Sequence, residues 1–413
     1  MRRSRIVLDM TIVILTNDVL DGEAFPLSIT AMRCLGLYDG LRTYFDDVRI
    51  VTTSESWIAA TRTGHRYLTP RFLEGISVVE MQSIPSFLRD VGPNIVVANS
   101  LTQRKIRKVV GRDCLIVSDF VADIRLERGH VSGRQIAAWT EQYKRAVQES
   151  DVVLINGQKK AAIIYELADQ TGALIPGGVH NVPFAMPYFG EPSYPYGRLG
   201  KERATLRVFV GGRLQSWQRV GVWPRALTRL LESDLGERVE IVLAFPSAPT
   251  HPDASHLESL AAGVNVTRIR GKLTYNDFAA IMASCDIFVD VQAPSPERQF
   301  AMSTRSVNAL CLGLPVVHQY GTELAPIIER EALGWLVEGN DEGELYSLLR
   351  TLVSDPTSVL KTRRCVKEYY EQHLKPSRNI RVVADIMRHH LERNDKVHVQ
   401  SNRGIAQTSP SSK

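Results

Sequence analysis

Two short segments carry residue types suited to holding an anion. Val210-Gly211-Gly212-Arg213-Leu214 closes an apolar run and opens a loop that leads toward a helical stretch. Glycines let the backbone approach a ligand closely, a helix N-terminus offers free N–H groups, and Arg213 can fork onto a phosphate. A Gly-Gly turn with a surface arginine is the plainer alternative. The second segment runs Ser303-Thr304-Arg305-Ser306-Val307-Asn308 and continues to Gly313 and the apolar Leu314-Pro315-Val316-Val317. Ser303, Thr304 and Arg305 fall at the start of a short predicted helix, again an anion-binding position. Ordinary Ser/Thr capping uses the same residue types. Asn308 lies one turn further in and faces a cleft if Ala309 and Leu312 face the core.

Acid–base candidates cluster in the first half of the chain. Asp18, Asp21 and Glu23 follow the first apolar run, and Asp119 and Asp123 follow the fifth. Such positions can supply a general base or a group that orients an acceptor, although loop caps and solvated charges look the same in a sequence. His130 stands just beyond and is an alternative. Gln103-Arg104-Lys105-Ile106-Arg107-Lys108 is a basic run on a predicted helix, fit either to touch an anionic membrane surface or simply to face solvent. Several motifs are absent: G-x-G-x-x-G after a strand, G-x-x-x-x-G-K-[ST], H-E-x-x-H, G-x-S-x-G and Asp-x-Asp. Dinucleotide and P-loop chemistry are thereby disfavoured. A bound diphosphate would have to be neutralised by arginines and helix ends, with no metal and no cofactor expected.

The elements that must position these residues follow from periodicity. The 413 residues suit two to three domains, and 44% hydrophobic with 23% charged residues excludes a largely disordered chain. The net charge of +5 favours anionic partners but is far from that of a nucleic-acid binder. Five scattered cysteines, an odd count with no C-x-x-C, read as core thiols in a reducing cytoplasm. The opening MRRSRIVLDMTIVIL imitates a signal peptide, but Asp9 interrupts it, and Met10 is an alternative start. No apolar run is long enough to span a membrane.

Apolar runs predict strands at TIVIL (from Thr11), VRIVTT (Val48), ISVVEM (Ile76), NIVVAN (Asn94), CLIVSD (Cys114) and DVVLIN (Asp151). Helical stretches such as Gln135–Gln148 and Lys159–Leu167 lie between them. Residues Pro183 to Arg203, rich in Pro, Gly and Tyr, break the pattern and read as a linker. Strands then resume at LRVFVGG (Leu206), VEIVLAF (Val239), VNVTRI (Val264), DIFVDV (Asp286), LPVVHQ (Leu314) and GWLVEG (Gly334). Helices are expected near Val222–Leu231, Tyr275–Ala283, Ser306–Leu312 and Leu324–Arg330, and from Asp341 to about Arg393. Continuous apolar strands alternating with helices mean parallel sheets covered on both faces. Two such halves enclose a cleft at the carboxyl ends of their strands.

ALCLGLPVV, GTELAPIIE and GWLVEGND resemble the donor-binding half of glycosyltransferase family 4, which has the GT-B fold. GGRLQSWQ and RGKLTYNDFAAIMASCDIFV resemble that family's glycine loop and its following helix and strand. IVSDFVADIRLE, DVVLINGQKK and NVPFAMP resemble the acceptor domains of a bacterial sub-branch, which also carries Thr-Arg before the helix, as Thr304-Arg305 here. The resemblance implies an α/β, GT-B architecture: two doubly wound, Rossmann-like parallel-sheet domains facing a cleft, with a C-terminal helix crossing back. Its implied divisions are an acceptor-binding domain (10–185), a linker (186–205), a nucleotide-sugar-binding domain (206–375), a returning helix (376–393) and a disordered tail (394–413).

The family signature is a glutamate, seven residues, a second glutamate, an Ala-rich helix and Gly-x-Pro-Val. Here the second glutamate, a ribose clamp, falls on Asn308 and the first on Phe300, while Glu297 stands three residues earlier and can take its place from the loop. The usual lysine after the glycine loop is missing; Gln218 and Arg219 stand near its position. By resemblance, Gly211, Gly212, Trp217, Gln218, Lys272, Ser303, Thr304 and Asn308 bind the donor, Arg213 and Arg305 neutralise the diphosphate, and Asp119 and Asp18 act at the acceptor. The implied activity is metal-independent, retaining transfer from a nucleoside-diphosphate sugar to a glycan, lipid-linked or small-molecule acceptor, in bacterial polysaccharide or glycolipid assembly. A catalytically silent nucleotide-binding scaffold and, more weakly, a sugar-nucleotide epimerase are the alternatives.

Overall fold

The computed structural model describes residues 10–16, 29–53, 76–99, 106–121, 123–127, 132–182, 205–212, 218–245, 253–269 and 275–392. The first sheet contains β1 (Thr11–Leu15), β2 (Asp47–Thr53), β3 (Ile76–Val79), β4 (Ile95–Asn99), β5 (Leu115–Phe120), β6 (Val152–Ile155) and β7 (Val179–Asn181). Its order is β3-β2-β1-β4-β5-β6-β7, and every pairing is parallel. The second sheet contains β8 (Leu206–Gly211), β9 (Val239–Ala244), β10 (Val266–Ile269), β11 (Ile287–Asp290), β12 (Val316–Gln319) and β13 (Gly334–Val337). Its order is β10-β9-β8-β11-β12-β13, again all parallel.

All twelve strands expected from apolar runs form. Neighbouring residues such as Ile12, Val13 and Ile14 are all buried, because helices cover both faces of each sheet and both sides of a strand need apolar side chains. The thirteenth strand, β7, has the sequence Val-His-Asn and no apolar run to announce it; it forms by pairing with the exposed edge of β6 (Val153 with Val179). Helices fall where periodicity puts them, at Gly133–Glu149, Lys160–Thr171, Trp223–Leu231, Tyr275–Ala283, Thr304–Cys311 and Ala325–Arg330. The Thr304–Cys311 helix starts earlier than its apolar positions suggest because Ser303 caps it, accepting from the Ser306 N–H at 3.5 Å.

Both sheets reverse their winding once: between β1 and β4 in the first, and between β8 and β11 in the second. Ligands of doubly wound sheets bind beyond the strand ends at this point. In the second sheet those ends are Gly211 and Asp290. The C-terminal helices return to the first half of the chain. Pro356–Tyr369 passes through a wide turn at Tyr370–Leu374 into Pro376–Asn379, which packs on the Ile29–Leu41 helix. There Tyr44 donates its hydroxyl to the Ser377 carbonyl, Arg388 Nη2 donates to the Tyr44 carbonyl at 3.3 Å, and a Cβ at Gly40 would collide with Ile380. One apolar cluster joins Ile12 and Leu37 to Phe209, Phe288, Ile380 and Met387, so it runs through both halves.

The cysteines are all free thiols; Cys34, Cys114 and Cys285 are buried. Burial pushes the thiols of Cys114, Cys285 and Cys311 up to about 12, keeping them protonated and inert. Among the described residues no helix is long and apolar enough to cross a membrane. The linker and tail assigned from composition lie outside the described residues.

Candidate functional site

The site is built where β8 and β11 end side by side. Gly212 has φ +112°, a conformation that L side chains rarely adopt. A Cβ there would also lie 2.5 Å from Arg305 Cδ, so only glycine lets the arginine lie along the loop. Arg305 stands in the first turn of the Thr304–Cys311 helix. The two segments singled out by sequence therefore meet, although much of the second half of the chain separates them.

Behind Arg305 lies a charge cluster that no local motif announces. Asp290 ends β11 with its side chain 1% exposed. Its Oδ1 is 3.2 Å from Arg305 Nη2 and its Oδ2 is 3.3 Å from Arg298 Nη2. Ser303 and Ser306 donate their hydroxyls to Oδ2, the latter at 2.8 Å. Arg298 is also held from behind, donating to the Asp290 carbonyl at 3.2 Å and to Gln319 Oε1 at 3.3 Å. Burial acts to raise the Asp290 carboxyl, but Arg298 and Arg305 overcome it and hold the group far below the usual carboxylate range. His318, opposite Asp290 in the strand register, is pushed down to about 3 by burial, with the arginines adding to the shift. It is neutral at pH 7, with contacts to Ser306 Oγ at 3.1 Å and Thr322 Oγ1 at 3.0 Å. One carboxylate thus faces two guanidiniums, and Arg305, the more exposed of the two, lies beside the glycine loop.

Glu297 belongs to this surface. Sequence reading leaves it in a loop; the structure puts it in a short helix, Pro296–Phe300, capped by Ser295 and opened by Pro296. That Ser-Pro pair is a helix-start signal the apolar pattern does not reveal. Glu297 Oε2 is buried with no hydrogen-bond partner among the described residues. Burial pushes its carboxyl above the ordinary glutamate range against the pull of Arg298 and Arg305; a weaker pull comes from Lys160 of the first half. Lys160 donates to the Val121 carbonyl at 2.7 Å and to Asn156.

The two halves also touch directly. Glu323 accepts from the backbone N–H groups of Gln158 (3.0 Å) and Lys159, an approach that Gly157 permits, since a Cβ there would be 3.0 Å from Glu323 Cδ. Lys159 Nζ donates to the Gly321 carbonyl at 2.8 Å and the Gln299 carbonyl at 3.1 Å. Asn308 does face the first half, as its helical phase requires, but there it is buried against Met32, with Nδ2 3.7 Å from the sulfur.

Other expected residues are placed as follows. Asp119, expected to face an acceptor, instead forms a buried pair with Arg33: Nε and Nη2 each approach Oδ1 or Oδ2 at 3.0 Å. Arg33 also donates to the Val182 carbonyl. The Asp119 side chain is 4% exposed, and both its oxygens are taken by Arg33. Asp123 is forked by Arg125 at 2.8 and 2.6 Å. Gln218 is half-buried, and Arg219 is exposed, 3.6 Å from Asp253. Arg107 turns inward from the basic run, donating to the Cys114 carbonyl at 2.7 Å and pairing with Asp151, while Lys108 is exposed. Arg213, Trp217, Lys272, Asp18, Asp21, Glu23, His130 and residues 103–105 lie outside the described residues. Among the described residues no cluster of three or more His, Cys, Asp or Glu is placed to hold a metal ion.

Comparison with known proteins agrees with this layout. Residues 205–355, which contain the whole cluster, match the family described as glycosyl transferases group 1. The chain is 26% identical over 180 residues to D-inositol 3-phosphate glycosyltransferase 1 of Catenulispora acidiphila, a match that covers 42% of this chain and 42% of that protein. The chain therefore aligns with less than half the length of this curated relative. The crystal structure of Anabaena HepE in complex with UDP superposes with a TM-score of 0.63 at 15% identity, covering 91% of this chain and 99% of that one. WaaG, a glycosyltransferase involved in lipopolysaccharide biosynthesis, superposes with a TM-score of 0.60 at 13% identity, covering 91% and 99%. The fold is GT-B, and residues 205–355 match the group 1 glycosyl transferase family without the rest of the chain doing so.

Proposed function

We propose that this protein is a glycosyltransferase that moves a sugar from a nucleoside-diphosphate donor to a glycan, lipid-linked or small-molecule acceptor, without a metal ion and with retention at the anomeric carbon. The observation that carries the reading is Arg305 lying along Gly212 at the winding reversal of the second sheet, with Asp290 behind it shared with Arg298. Transfer turns the nucleotide into a leaving group whose diphosphate gains charge as the glycosidic bond breaks. Arg305 and the N–H groups at the start of its helix would stabilise that charge. A hydrogen bond to a charged group is worth about 1.5–3 kcal/mol. Retention by front-side attack requires little of a protein base, in keeping with Asp119 being tied to Arg33.

In this reading Glu297, whose buried Oε2 has no hydrogen-bond partner among the described residues, receives a hydroxyl of the transferred sugar. UDP is the first base to test because HepE was crystallised with it. The setting would be the cytoplasm, where nucleotide sugars are made. Phe300 and Asn308 at the two signature positions motivate the second reading, a silent scaffold that binds nucleotide without transfer.

A thermal-shift panel of UDP, GDP, dTDP, ADP and CMP, with and without EDTA, tests the proposal. A ligand at about a hundred times its dissociation constant stabilises by about 2.7 kcal/mol. A shift with one diphosphate that survives EDTA is expected; no shift with any of them would overturn the donor site. Hydrolysis of the matching nucleotide sugar without acceptor separates a transferase from a scaffold, and product analysis separates it from an epimerase.

A further inference from the structure

We infer that Asp290 is a positioning residue: it holds Arg305 against the Gly211-Gly212 loop, so that the arginine meets a diphosphate already aimed. The inference rests on the diphosphate reading above. Asp290 ends β11, the direct neighbour of β8, so strand pairing sets its distance from the glycine loop (Ile287 with Val208, Phe288 with Phe209). Its two oxygens have different tasks. Oδ2 takes the Ser303 and Ser306 hydroxyls and faces Arg298, which fixes the plane of the carboxylate. Oδ1 is thereby turned toward Arg305 at 3.2 Å.

The exposures follow the same division. The side chain of Asp290 is 1% exposed, that of Arg298 5% and that of Arg305 16%, so only Arg305 reaches toward the cleft. Arg298 is anchored from behind by the Asp290 carbonyl and Gln319. Without the carboxylate, two guanidiniums would be left to repel one another, and Arg305, the less anchored, would swing away. Binding would then have to re-order a long side chain, which weakens affinity.

This reasoning predicts a sign opposite to simple electrostatics. Removing a negative charge beside an anion site strengthens binding if charge alone acts; removing it here should weaken binding, because the arginine loses its aim. Titration calorimetry of the full-length protein with UDP, GDP, dTDP, ADP and inorganic pyrophosphate measures this on wild type, D290N, R305A and the double variant. R305A should weaken the tightest of these ligands tenfold or more. D290N should weaken it about three- to tenfold, and D290N should add nothing in the R305A background.

Equal losses from D290N in both backgrounds, or unchanged or tighter binding in D290N, overturn the inference while leaving the diphosphate reading standing. No binding by wild type, or normal binding by R305A, overturns both. If D290N does not fold, R298M tests the same pair from the other side. It removes one cation from the cluster but leaves Asp290 to hold Arg305, so affinity should fall clearly less than in R305A even as thermal stability falls. A loss as large as that of R305A would overturn the inference.

Discussion

Each half of the molecule buries an aspartate at the end of a strand beside arginine, and the two arrangements differ in one respect. Asp119, ending the core of β5, meets one arginine, Arg33, whose side chain is 2% exposed. The pair is neutral and closed. Asp290, ending β11, meets two arginines and leaves one of them half-turned to the cleft. Both carboxylates are satisfied, yet the second leaves one arginine 16% exposed where Arg33 is 2% exposed. A buried carboxylate is thus no sign of a catalytic acid or base; the ratio of partners and the exposure of their tips distinguish a closed pair from one that leaves a cation accessible.

The largest effect should come from breaking the closed pair. Asp119→Ala leaves Arg33 buried without its counter-ion, at a cost of about 3–5 kcal/mol. Chemical denaturation measures it, and a loss below about 1 kcal/mol would contradict a structural role. Arg305→Ala should behave oppositely. Asp290 keeps Arg298, so stability should fall little, while transfer and diphosphate affinity drop at least tenfold, as expected from the roughly 1.5–3 kcal/mol of a charged hydrogen bond. Melting temperature and turnover measured on the same sample decide between the two patterns.

Acid titration sharpens the comparison, because the second cluster contains a buried histidine. His318 has its native value near 3, against 6.5 when unfolded. Between those values the unfolded chain binds a proton that the native state refuses, so stability is lost as pH falls through that window. His318→Gln should flatten this part of the stability profile without touching the Asp119 pair. Glu297 carries the smallest predicted effect and the opposite sign. Its raised native value means that stability declines as pH climbs above the ordinary 4.5, and Glu297→Gln should remove that decline. An unchanged profile in Glu297→Gln would show that this carboxyl is solvated.

Much of the fold was legible because the strands announce themselves. In parallel sheets covered on both faces, nearly every strand residue is apolar, so runs such as Thr11–Leu15 and Val239–Ala244 stand out without an alignment. What escaped was local structure made by polar residues. β7 is held by an edge, and Pro296–Phe300 by a cap and a proline. Of the site, the glycine loop and the Ser303-Thr304-Arg305 turn were visible, since turns with the residue types of an anion site have a local chemistry. The partners of Arg305 were not.

By itself the sequence determined the alternation of strands and helices, the likeness of two halves and the residue types at the two candidate anion-site turns. These depend on neighbours within a few positions, where periodicity and capping act. Only the tertiary structure decided that Arg305 lies on Gly212, that Asp290 rather than a nearer acid holds it, that Asp119 belongs to Arg33, and that Asn308 packs on Met32. The reason is strand order. A doubly wound sheet brings together strand ends that are distant in the chain, and which charges become partners depends on which strands are neighbours, a property no local window of residues contains.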